Sequence, residues 1–83
     1  MDKSFICAAS TLIKEADRAL TECGISKEKE VLCLVKSASA IVWNNADPDT
    51  DESFVHWITD IELSFVERIT ELHRDRIAVY LSD

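Results

Sequence analysis

Glycine and proline are almost missing from this chain of 83 residues, which holds one of each, Gly24 and Pro48. Tight hairpins need turn residues, so an all-β fold is excluded. Paired cysteines are missing as well. Cys7, Cys23 and Cys33 are odd in number and form no C-x-x-C, which argues against a disulfide framework and for a reducing compartment. All three are expected to pack as small buried hydrophobes. No apolar run approaches the ~20 residues of a membrane span. Residues Ser4 to Ile13 are mildly apolar, but Lys14, Glu15, Asp17 and Arg18 continue the same amphipathic register. A signal peptide would end in a small-residue cleavage site instead. A cytoplasmic protein with no membrane partner is the expectation.

Catalytic signatures are equally scarce. The phosphate-cradling patterns G-x-x-x-x-G-K-S/T and G-x-G-x-x-G and the zinc pattern H-E-x-x-H do not occur. Glu52, His56 and Asp60 share one helix face, but the first and last lie about 12 Å apart on a straight helix. That is too far for one ion without a second chain, so ordinary surface side chains are expected and no metal. The reading is a protein that is not an enzyme and carries no cofactor.

What the chain does have is apolar content, at 47% hydrophobic residues, too rich for a disordered tail. The length suits one domain over 1–83. Such a domain buries only about 60–65% of its unfolded surface, so help from a partner subunit is expected. Gly24 and Pro48 punctuate three helical patterns. Helix 1, about 4–23, carries Phe5, Ala9, Leu12, Ala16, Ala19 and Cys23 as its apolar stripe, widened by Ile6, Ile13 and Leu20. Gly24 should end it in a left-handed conformation, and Ser26 should cap the next helix. Helix 2, about 27–43, carries Val31, Leu34, Ala38 and Ile41, flanked by Leu32, Val35 and Val42. Asp49 and Glu52 have capping-box spacing before helix 3, about 50–81.

Helix 3 carries two stripes. Phe54, Ile58, Ile61, Phe65, Ile69 and Leu72 form one, with Trp57 beside it. Thr59, Leu63, Val66, Thr70, His73, Ile77 and Leu81 form a second uncharged series on the far side. The helix would also overhang its partners by more than two turns, with an apolar end. The fold expected is all-α, a small three-helix antiparallel bundle that is oligomeric through its long third helix. Leu63, Val66, Thr70, His73, Ile77, Tyr80 and Leu81 are the candidate interface. Two other fates of the tail stay open: a bend near 73–75 that folds it back, or a strand over 77–81.

The charge is lopsided. Residues 1–46 balance six bases with six acids, while residues 47–83 hold ten acids and three bases, which accounts for the net charge of −7. Residues 47–62 contain Asp47, Asp49, Asp51, Glu52, Asp60 and Glu62 and no base. Such a patch repels nucleic acid and attracts a basic protein. Asp47, Asp49, Asp51, Glu52 and Asp60 are therefore the candidate partner-binding residues. The function expected is an acidic helical inhibitor or antirepressor that occludes a basic partner, such as a DNA-binding repressor or a nuclease. The alternative is a structural assembly subunit or secretion chaperone that binds through apolar grooves. Trp43 and Trp57, near the acidic turn, are expected in the core.

Overall fold

The structure, a computed structural model, describes residues 1–82, with the side chains of Tyr80 and Ser82 outside the description. Three α-helices follow in order: α1 (Lys3–Cys23), α2 (Glu28–Asn45) and α3 (Glu52–Ser82), with a 3-10 turn at Gly24–Lys27 and no strand among the described residues. The all-helical class is as the periodicity predicts. α3 is one unbroken helix of 31 residues, so the tail neither bends back near 73–75 nor turns into a strand over 77–81. Continuous i→i+4 bonding satisfies its backbone better than an unpaired edge would.

Asp2 caps α1 by accepting the Ser4 N–H at 3.1 Å. At the other end, Gly24 takes φ 57 and ψ −145 and donates its N–H to the Leu20 carbonyl. The positive φ is as expected for this glycine, but ψ lies outside the left-handed helical region that the cap was expected to adopt. Ser26 is not the cap of α2. Its hydroxyl turns back to the Cys23 carbonyl at 2.6 Å, because the extra 3-10 turn delays α2 until Glu28, which starts without a side-chain cap.

Two long-range contacts fix the helix directions. Met1 meets Asp51 across 50 positions, and Arg68 meets Asp17 across 51. A constant offset means that α1 and α3 run parallel, with α2 antiparallel to both; His73 of α3 accordingly reaches Glu28 at the start of α2. α2 is the central element. No α1 Cα comes within 8 Å of an α3 Cα among the described residues, so those two helices meet through side chains alone. The Arg68 guanidinium does this: it bonds Asp17 at 2.7 Å and lies 5.1 Å from the Phe65 ring centroid.

The core is a seam of Ala9, Ile13, Ala16 and Leu20 from α1, Val31, Val35, Ala38 and Val42 from α2, and Ile58, Phe65 and Ile69 from α3. The buried positions step by four, three and four residues on α1 and α2 and by seven and four on α3, one face of each helix. The seam on α1 is rotated from its expected centre: Ile13 and Leu20 are inside, while Phe5 and Cys23 face water. All three cysteines are exposed, contrary to expectation. The helices meet on alanines and valines, and the thiols fall on the outer faces. Trp43 also departs from expectation, at 58% exposed, while Trp57 is half-buried against the core.

The whole is elongated, 53 × 19 × 14 Å. Beyond Leu72 no described side chain of α3 joins or packs against the core.

Candidate functional site

Two surfaces stand out, one at each end of α3. The first is the turn from α2 into α3. α2 ends as the Ala46 N–H donates to the Val42 carbonyl at 2.8 Å. Asp47 then opens a tight turn, with Pro48 next and the fixed φ that this place favours. The Asp47 carbonyl accepts the N–H groups of Thr50 and Asp51, at 3.3 and 2.8 Å, and its side chain accepts the Asp49 N–H at 2.8 Å.

Asp51 locks this turn to the start of the chain. Its carboxylate accepts the Asp47 N–H at 2.8 Å and two bonds from the Met1 ammonium, at 3.0 and 2.9 Å. It is 4% exposed. The Asp47 N–H first, and the ammonium with it, hold the Asp51 carboxyl below its ordinary pKa, against the opposing effect of desolvation. Asp51 therefore leaves the candidate docking set: a carboxylate buried in an ion pair is not offered to a partner. The capping box of Asp49 and Glu52 is not formed either. The Asp51 carbonyl receives the first helical N–H groups, from Phe54 and Val55, so Asp51 holds the cap position, and Glu52 points to His56 at 3.4 Å.

The exposed acids at this end are Asp47, Asp49 and Glu52, with Asp60 about two turns further along α3. No hydrogen bond or ion pair among the described residues engages the Asp49 or Asp60 carboxylate. The fold adds Asp2, which the Met1–Asp51 contact carries to the same end. Sequence spacing could not reveal it. Trp43 stands exposed one turn before the acidic turn. Among the described residues, no three His, Cys, Asp or Glu side chains converge on a point suited to a metal ion.

The second surface is the outer face of α3. Leu63, Val66, Ile77, Val79 and Leu81 each expose more than half of their surface. Thr59 and Thr70 donate their hydroxyls to the carbonyls one turn back, Val55 and Val66, at 2.8 and 2.7 Å. Their polar atoms are thus satisfied within the helix, and the stripe is apolar in effect. His73 departs from the expected interface role, since its Nε2 lies 3.0 Å from Glu28 of the same chain. Tyr80, the remaining candidate, lies outside the described side chains. No described helix is long and apolar enough to cross a membrane.

Comparison of the chain with protein-family models, curated proteins and solved structures gives no match.

Proposed function

We propose that this chain is a non-catalytic regulator whose acidic end docks on a basic, nucleic-acid-binding protein and occludes its nucleic-acid surface. The observation that carries this reading is Trp43, 58% exposed near the end of α2, followed in the chain by an acidic turn whose Asp49 carboxylate the fold leaves unengaged. A surface built for phosphates presents Lys and Arg, which carboxylates satisfy in place of phosphate oxygens. An exposed indole adds the aromatic anchor and the cation–π face that Arg prefers. A repressor or a nuclease has such a surface. On this reading the helices work in the cytoplasm as a small antiparallel bundle without a cofactor, and the chain itself does not touch nucleic acid. The outer stripe of α3 joins copies to one another.

The test uses immobilised chain and the proteins of a lysate that a heparin column retains. A captured partner should be released by salt, displaced by duplex DNA, and lost with Asp49→Lys or Trp43→Ala. Capture that survives both substitutions and resists DNA overturns the reading.

The exposed Leu63, Val66, Ile77 and Leu81 favour one alternative: an assembly subunit or secretion chaperone that holds partners through this apolar face. It predicts capture that Leu63→Glu abolishes and salt leaves intact.

A further inference from the structure

We infer that α3 pairs antiparallel with α3 of a second copy, about a two-fold axis at Thr70. The inference deepens the self-association proposed above and rests on it. Four residues of the outer stripe are placed at equal distances about Thr70. Leu63 stands two turns before it and Ile77 two turns after; Thr59 and Leu81 stand a further turn out on either side. An antiparallel pair centred there sets Leu63 against Ile77 of the second copy, and Thr59 against its Leu81, twice over. At the axis the two Thr70 side chains meet. Their hydroxyls are bonded to their own Val66 carbonyls at 2.7 Å, so no donor is stranded when the contact dries.

Charge selects the same direction. Glu67 lies three residues before the axis and Arg74 four after, so each faces the other across the pair. Parallel pairing would stack Asp60 on Asp60, Glu67 on Glu67 and Arg74 on Arg74, in a chain that already carries −7. The overhang is the other reason. None of the described side chains from Arg74 onward joins the core, and Ile77 and Leu81 stand 58% and 75% exposed, so the second copy covers Ile77 with Leu63.

This arrangement sends the two acidic turns to opposite ends. Asp51 is nineteen residues from the axis, so the two turns are separated by roughly 55–60 Å at the helical rise. The assembly would hold two basic partners apart, one at each end.

The experiment uses the full chain with Cys7, Cys23 and Cys33, all exposed, changed to Ser. Sedimentation velocity of this parent should show a dimer. Leu63→Cys and Ile77→Cys are then introduced in separate chains, which are mixed in a glutathione redox buffer. The mixed 63–77 disulfide should exceed the 63–63 and 77–77 products by at least about tenfold, since only antiparallel pairing brings those positions together. Arg74→Glu should raise the dimer Kd roughly tenfold, from two like-charge contacts, and Glu67→Arg on the same chain should restore it. A dimer that cross-links as 63–63 overturns the direction and leaves self-association standing. Failure of Glu67→Arg to rescue overturns the register. A monomer at all concentrations overturns both this inference and the self-association on which it rests.

Discussion

The carboxylate of Asp51 lies 2.9 Å from the α-ammonium of Met1, fifty residues away in sequence, and accepts both of its bonds inside the molecule. One ion pair thereby fixes three things: the start of α1, the turn from α2, and the cap of α3. Asp51→Asn keeps the shape and removes the charge, leaving the ammonium without its counterion. Thermal melts should show a clearly lower Tm at neutral pH, whereas Asp49→Asn, which breaks no pairing, should leave Tm unchanged.

The same group sets an acid limb of stability. Its folded pKa lies below the ordinary value, so the unfolded chain binds the proton more readily. The stabilisation from Asp51 is then complete above about pH 4, the unfolded carboxylate value, and fades as pH falls through the lower folded value. Urea midpoints measured from pH 6 down to pH 2 should decline for the native chain. The decline should be shallower in Asp51→Asn; equal slopes would remove Asp51 as the cause.

Gly24 carries the only positive φ among the described residues. A Cβ there would meet nothing within 4 Å, so the cost of Gly24→Ala is conformational rather than steric. A side chain held at that backbone should cost about 1–3 kcal/mol in urea denaturation.

The two faces of α3 should respond in opposite ways. Phe65→Ala empties the seam and removes the ring beneath Arg68, with a loss of about 3–5 kcal/mol in chemical denaturation. Leu63→Glu sits on the exposed face and should change the stability of a single chain by no more than about 0.5 kcal/mol. In light scattering over a concentration series, Leu63→Glu should abolish self-association.

Much of this architecture was readable in advance, and the misses have physical causes. Ile58, Phe65 and Ile69 lie on the first stripe of α3 by helical spacing alone, and they are its share of the core. On α1 the pattern was ambiguous: Phe5, Leu12 and Ala19 run beside Ile6, Ile13 and Leu20, and both rows are apolar. Which row faces inward depends on close approach at Ala9 and Ala16, a property of the packed pair of helices rather than of one helix. Asp51 looked like its acidic neighbours because its partner is the first residue of the chain. Ser26 has the chemistry of a cap, but a 3-10 turn took its hydroxyl for Cys23 instead. Trp43 is apolar enough to suit a core, but its helical position turns it outward beside the fully buried Val42.

Fluorescence can check the placement of Trp43. With Trp57→Phe as background, emission from Trp43 should be quenched readily by neutral acrylamide. Caesium should quench it better than iodide, because the surrounding carboxylates gather cations and repel anions. Equal quenching by the two ions would show that the acids do not surround the indole.

The overhanging end of α3 has a thermodynamic consequence. A stretch as short as Arg74–Ser82 forms helix only marginally in water when nothing packs on it, and none of its described side chains joins the core. Any partner that covers Ile77 and Leu81 therefore binds and orders the tail in the same event. The ordering entropy is subtracted from the affinity, and the heat capacity change exceeds what the buried area alone would give. Amide exchange along this tail becomes a gauge of occupancy: fast when the face is bare, slow when it is covered.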